Sequence, residues 1–331
     1  MKKNRDFHFC CESLGKVSRT FALNINKLKG NTRKAVTVGY LLFRIADTFE
    51  DSENLSEERK IKNLRGFIEV FKSGKSLRER IAAYRRLDLF FEKGTPEGEL
   101  LERGEEVLRV YCELPEVYRR ITDPLIAESV RGMISYQKRK MEAGEAIFQT
   151  ENFADLEKYC YYVAGVVGKM LTRIFCLKRR IAPFRPKLEK HQVAFGVALQ
   201  LTNIAKDFEK DLKRGWFYIP KTFANLEYLA ENPEREKEKI LRKLIPAIVP
   251  YFDKTVDYIR AVPVAEISVR LFCVIPFVLA YNTVKKICQR KGNKLSRAEV
   301  IEVLDKSDFF ASSQSAMEED YFKIRKDLRF D

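Results

Sequence analysis

The segment from Leu199 to Pro220, LQLTNIAKDFEKDLKRGWFYIP, restricts the fold more than any other stretch of the chain. It starts as a buried helix: Leu199, Leu201, Thr202, Ile204 and Ala205 are apolar or small, and neither Gly nor Pro interrupts them. Down that helix run Gln200, Asn203, Asp207 and Asp211, at spacings of three, four and four, so they share one face. Burying such a row without a partner is costly. Two carboxylates one turn apart also repel each other unless a cation lies between them. Their oxygen donors suit a hard ion such as Mg2+. The plainer reading is a solvated acidic face, but the apolar approach and the ending weigh against it. Lys213, Arg214 and Gly215 stop the helix with cations and a glycine, and Trp216, Phe217, Tyr218 and Pro220 close the segment.

The device recurs upstream. Tyr40, Arg44, Asp47 and Asp51 stand at spacings of four, three and four, while Leu41, Leu42, Ile45 and Phe49 fill the rest of the turns. Two apolar helices that each end in paired aspartates are expected to face each other across a pocket and hold metal ions between them. Such a site traps a diphosphate: the ligand brings phosphate oxygens, the metals bridge, and nearby Arg and Lys neutralise.

The rest of the chain supports an all-α scaffold around these rows. Gly (15) and Pro (11) are few among 331 residues, and no alternating strand or Asn-Gly hairpin signal appears. Helices are predicted over 12–28, from a cap at Asn31-Thr32 through Asp51, from Ser56, and over 76–91, 98–111, 115–140 and 153–177. A charged helix follows over 231–239, then an apolar one around 269–280 kinked at Pro276, then two short helices after 296. No chemistry is legible between 56 and 115. The helix over 153–177 is apolar around Tyr159, Val163, Val166, Val167 and Met170, with Ala164, Gly165 and Gly168 small. Small residues there admit either a close neighbouring helix or a ligand, and both readings stay open.

Composition excludes several classes. With two histidines, a His-based dyad, triad or zinc site is not expected. Seven cysteines without a C-x-x-C read as reduced core thiols of a cytosolic protein. The apolar run Leu271–Tyr281 falls short of the roughly 20 residues that span a bilayer, and charges throughout residues 1–30 leave no signal peptide. The net charge of +15 calls for an acidic partner. The basic clusters lack the interleaved aromatics of single-strand binders, so nucleic acid is not expected. An anionic membrane face and a phosphorylated lipid substrate are.

On these residues the chain resembles the squalene/phytoene synthase family of head-to-head prenyl synthases. Asp47-Thr48-Phe49-Glu50-Asp51, preceded by Tyr40 and Arg44, resembles its first aspartate motif. Asn203, Asp207 and Asp211, followed by Arg214-Gly215 and Tyr218, resemble its second. Ser18-Arg19-Thr20-Phe21 is similar to its N-terminal substrate segment, and the run from Tyr159 to Gly168 to its central helix, with Tyr159 at the catalytic tyrosine. The blocks keep the family's order from about residue 10 to about 290.

The resemblance implies one large helical domain over 1–331, of the class I isoprenoid (terpenoid) synthase type with a central cavity. It implies Mg2+ on Asp47, Glu50, Asp51, Asn203, Asp207 and Asp211. Substrate contacts would come from Ser18, Arg19, Phe21, Tyr40, Arg44, Val163, Val167, Gln200, Asn203 and Tyr218. The block Arg270–Pro276 looks more like the reducing, squalene-forming branch. That branch joins two farnesyl diphosphates through presqualene diphosphate and reduces with NADPH, for which Arg19, Arg44, Lys206 and Arg290 are the candidate cations. No G-x-G-x-x-G turn follows a strand, so NADPH would lie against helices. Two residues depart from the pattern: Lys206 stands where the family often has Arg, and Trp216 where a further Arg often follows. Two rivals remain: a dehydrosqualene or phytoene synthase that stops without reduction, and a basic helical protein that coats membranes or nucleic acid. The expected state is a cytoplasmic monomer, peripheral at the inner face of the membrane, without the C-terminal anchor that eukaryotic members usually add.

Overall fold

Ser18 decides how the chain begins. Its backbone is extended (φ −157°, ψ 97°) and its hydroxyl accepts a hydrogen bond from the Phe21 amide at 3.3 Å. That cap divides the single helix expected over 12–28 into α1 (Lys2–Val17) and α2 (Arg19–Ile25). The protein is described by a computed structural model covering residues 2–89, 94–144 and 146–329. About 78% of it is helical, and its contacts divide it into two compact units.

The first unit comprises Met1–Gly144 with Arg173–Leu177. After α2 come α3 (Gly30–Asp51), α4 (Glu57–Val70), α5 (Leu77–Tyr84), α6 (Pro96–Glu102), α7 (Gly104–Glu113) and α8 (Glu116–Ala143). α3 starts at Gly30 behind an extended Lys29, without a side-chain cap, so Asn31-Thr32 is not its N-cap. Ser56 and Ser76 do cap their helices, Ser76 in a reciprocal capping box with Glu79. Of the helix expected over 76–91, residues 90 and 91 lie outside the described residues. The stretch over 98–111 is interrupted at Arg103, between α6 and α7. Leu41, Leu42, Ile45, Ala46 and Phe49 of α3 are buried, as the apolar row predicts. A polar lock ties α5, α7 and α8: Arg80 meets Asp123 through two nitrogens at 2.7 and 3.1 Å, and the Tyr111 hydroxyl donates to Asp123 at 2.7 Å. Paired and hydrogen-bonded on both sides, these buried charges avoid an uncompensated desolvation penalty.

The second unit comprises Glu145–Thr172 with Lys178–Asp331. It contains β1 (Phe148–Gln149), α9 (Phe153–Cys160), a π turn (Tyr161–Gly165) and α10 (Val166–Phe175). After a 3-10 turn (Ala182–Phe184) follow α11 (Arg185–Lys213), β2 (Trp216–Phe217), α12 (Leu226–Glu231), α13 (Pro233–Ala261), α14 (Ile267–Cys288), α15 (Arg297–Ser312) and α16 (Gln314–Arg325). The strand pair was not expected. It is two residues long and parallel, with Phe148 opposite Trp216 and Gln149 opposite Phe217, too short to leave an alternating pattern. Side chains reinforce it: Gln149 donates to the Ile219 and Ala224 carbonyls, both at 3.0 Å.

α14 is 22 residues long and apolar enough to cross a membrane by length and composition, which corrects the shorter run read from Leu271 to Tyr281. Its most apolar window is 83% buried within the protein. Arg270, near its start, is fully buried and donates to the Ala311, Ile259 and Val262 carbonyls.

The small residues of the central helix serve a close crossing with α11. A Cβ on Gly168 would stand 2.0 Å from the Gln192 carbonyl oxygen, and one on Gly196 would stand 2.1 Å from the Ala164 carbonyl oxygen. Helix packing therefore accounts for Gly168. Both obstacles are backbone, which cannot swing aside. Gly168→Ala and Gly196→Ala should each lower stability by about 1–3 kcal/mol, the usual cost of overpacking. Gly15→Ala, where nothing lies within 4 Å, should be neutral or slightly stabilising. Thermal unfolding of the three variants checks this, and equal midpoints would contradict the close crossing.

Candidate active site

In the first unit α3 and the α1–α2 junction assemble most of the residues named from that region. The Phe21 and Tyr40 rings lie 5.2 Å apart, and the Ser18 hydroxyl is hydrogen-bonded to that of Tyr40. One turn on, Arg44 donates to Glu97 at 2.8 Å and places its charge beside Asp47. Arg44 Nε is buried and finds no acceptor among the described residues. Asp47 is half-buried but densely surrounded. Burial pushes its carboxyl up to about 7 and the Asp51 charge adds to that, while Arg44 pulls the other way. Asp51 and Arg19 are exposed, and Glu50 is buried at the end of α3. Glu97 was missed by sequence reading. It lies in the stretch that offered no chemistry, and only folding brings it to Arg44.

In the second unit α11 presents the other row. Gln200 and Asp207 are half-buried, Asn203 is exposed and Asp211 is buried. Each aspartate already has a cation: Lys206 lies 3.0 Å from Asp207 and also donates to Asn203 at 3.3 Å, while Arg214 meets Asp211 at 2.6 Å. Val163, in the π turn, and Val167, just after it, are half-buried. π turns of this kind are frequent where a helix carries function. Tyr159 is buried just before the turn, stacked on Tyr218 with ring centres 4.3 Å apart. Trp216 and Phe148 extend the aromatic cluster.

The cations named for a nucleotide come from both units. Lys206 and Arg290 line one cleft of the second unit, of about 790 Å³, while Arg19 and Arg44 belong to the first unit. Arg235, Lys237, Lys239 and Arg242 join them there, against the acidic Glu209, Glu234 and Glu238. Most of these cations already have acidic neighbours: Lys206 pairs with Asp207, Lys237 with Glu209, Lys239 with Glu236, and Arg242 with Glu238. Arg290 adopts a left-handed backbone (φ 56°) and pairs with Glu238 at 2.8 Å.

Among the described residues no three His, Cys, Asp or Glu side chains gather as a metal site by themselves. The carboxylates come as pairs, Asp47 with Asp51 and Asp207 with Asp211. An all-oxygen pair suits Mg2+, which usually takes one or two carboxylates and completes its shell with water and substrate phosphate. The raised carboxyl of Asp47 and the unpartnered Arg44 Nε fit a cation and a phosphate arriving together.

A family model described as squalene/phytoene synthase matches residues 14–303. The squalene synthase of Schizosaccharomyces pombe is 29% identical over 292 residues, covering 84% of this chain and 59% of that protein. That of Rattus norvegicus is 30% identical over 283 residues, covering 83% of this chain and 62% of that protein. The chain thus spans about three fifths of the length of these curated relatives. Among solved structures, a complex of TcSQS with the ligand BPH1237 superposes with a TM-score of 0.80 at 25% identity, covering 97% of this chain and 91% of that one. A dehydrosqualene synthase in complex with ligand shares the fold, with a TM-score of 0.64 at 19% identity over 93% of this chain and 97% of that one.

The Asp47 environment makes stability depend on pH in a definite sense. The folded carboxyl titrates near 7 against 3.8 for an ordinary aspartate, so the folded chain holds more protons between those values. Stability contributed by this group is therefore lost as pH rises from about 4 to 7. Asp47→Asn removes the loss. Without Mg2+ its unfolding midpoint should match the parent chain at pH 4 and exceed it at pH 8. A lower midpoint at pH 8 would contradict the account.

Proposed function

The chain belongs to the squalene/phytoene synthase family, and from that premise we propose that it condenses two farnesyl diphosphates head to head through presqualene diphosphate and reduces the product to squalene with NADPH. One observation carries the reading: on α3 Arg44 stands beside Asp47, whose carboxyl burial pushes up to about 7, and the buried Arg44 Nε finds no acceptor among the described residues. Such a carboxyl is unfavourable as an anion until a cation joins it, and the buried arginine nitrogen offers its donor to an oxyanion.

In this reading the chain works as one isoprenoid synthase domain over residues 1–331. Asp47, Asp51, Asp207 and Asp211 hold Mg2+, with Glu50 and Asn203 as further ligands or as groups that orient them. Bound there, Mg2+ neutralises the departing diphosphate. Arg44 and Arg19 hold phosphate oxygens, and Glu97 fixes the Arg44 fork in direction. Phe21, Val163, Val167 and Leu199 exclude water from an allylic cation, which would otherwise be quenched. Tyr40 and Gln200 contact the substrate, and Tyr159 governs proton loss at the cyclopropane-forming step. NADPH supplies the hydride of the final reduction, and Lys206 and Arg290 bind its phosphates. The basic surface meets an anionic membrane at its cytoplasmic face, as a monomer.

A second reading, release without reduction, is favoured by Trp216. Where the family often carries a further Arg, this indole is buried and stacked within the protein.

Two measurements test the proposal. Purified protein incubated with farnesyl diphosphate and Mg2+ should yield squalene only when NADPH is added. Dehydrosqualene as the main product, with NADPH present and unconsumed, would move the chain to the second reading. Asp47→Asn and Asp207→Asn should each lower turnover by two or more orders of magnitude, as expected when charge stabilisation of a leaving group is removed (about 10²–10³-fold for a single donor). Helix content should stay unchanged. Near-normal turnover in either variant would refute the diphosphate trap.

A further inference from the structure

The Tyr159 hydroxyl donates a hydrogen bond to the Tyr218 hydroxyl at 2.8 Å, and both rings are buried. The rings stack nearly parallel, 19° apart, and Trp216 lies against Tyr218 at 5.6 Å and 14°. The backbone beneath this stack is clamped. β1 and β2 pair Phe148 with Trp216, and Thr150 Oγ1 donates to the Tyr218 carbonyl at 2.7 Å. The Lys221 amide returns a bond to the Thr150 carbonyl at 2.9 Å. Segment 216–221 is thereby fixed to segment 148–150, and the hydroxyl of Tyr218 has little freedom to leave that of Tyr159.

The geometry points to Tyr218 as a positioning residue for Tyr159. A phenol whose O–H is committed to one acceptor offers only its oxygen lone pairs to a group on its other side. Tyr159 is thus held as an acceptor, the orientation that favours an adjacent carbocation, and is kept from acting as a proton donor. The stack with Trp216 fixes the ring plane, and the strand pair fixes the stack. This rests on Tyr159 being the hydroxyl that meets the reacting substrate.

Three variants of the full chain, Tyr159→Phe, Tyr218→Phe and the double variant, test it with two independent readouts. The first is thermal unfolding, which needs no activity. Because the Tyr159–Tyr218 hydrogen bond is lost in either single variant, the double variant should lose less in its midpoint than the sum of the two single losses. Additive losses would overturn the hydrogen-bonded pair. The second is steady-state kinetics of diphosphate release from farnesyl diphosphate across pH. Tyr218→Phe should lower kcat about tenfold with KM nearly unchanged, and should alter the alkaline limb of the pH profile. In the Tyr159→Phe background the second substitution should add little. If Tyr159→Phe is impaired while Tyr218→Phe keeps the parent kcat and pH profile, Tyr218 is only a packing residue and the inference fails. If Tyr159→Phe is fully active, the assignment of Tyr159 fails first and the positioning role fails with it.

Discussion

A carboxylate at the end of an apolar helix is costly to ionise, and Asp47 occupies that position. Burial outweighs the help from Arg44, and Asp51 one turn on makes matters worse, so the carboxyl is pushed up to about 7. The neighbours make sense in that light. Glu97 holds one side of the Arg44 guanidinium, leaving its buried Nε for another acceptor. Tyr40 is held by Ser18, whose hydroxyl also caps α2. The same serine thus ends one helix, starts the next and brings Phe21 over Tyr40. The first unit concentrates on one helix end a carboxyl whose ionisation burial opposes.

The second unit meets the same problem differently. Asp207 and Asp211 carry their own cations, Lys206 and Arg214, at 3.0 and 2.6 Å. Under the proposed function, a metal at the second row would have to replace existing ion pairs, whereas one at Asp47 would relieve a desolvated acid. The two rows, alike in sequence, therefore differ in electrostatic state. In the same unit α10 and α11 cross closely at Gly168 and Gly196, and a two-residue strand pair holds the aromatic stack on Tyr159. Both are backbone devices that fix where Tyr159 stands.

Much of this was legible in the chain itself. The four-residue spacing of Asp47 and Asp51, and of Asp207 and Asp211, announced the two helices α3 and α11. The scarcity of Gly and Pro announced an all-α fold. What stayed hidden depends on long-range contact. Glu97 reaches Arg44 across 53 residues, and nothing local marks it. Gly168 was open between packing and ligand lining until the Gln192 carbonyl was seen beneath it. The strand pair was too short to leave a period. Ser18 is a substrate contact in the resemblance, and the sequence does not mark that its hydroxyl instead caps α2 by a local hydrogen bond that competes with helix continuation. The four proposed cofactor cations looked equivalent in sequence, and nothing local shows that Lys206 and Arg290 line one cleft of the second unit.

The central claim is that Asp47, its carboxyl pushed up to about 7, still holds a substantial share of its proton just below neutrality and gives it up when a cation binds. Calorimetric titration of the protein with Mg2+ at pH 6.5, in buffers of different ionisation enthalpy, counts the protons released. The account predicts a net release that disappears in Asp47→Asn. Binding of Mg2+ with no proton released, or with the same release in the variant, would contradict it.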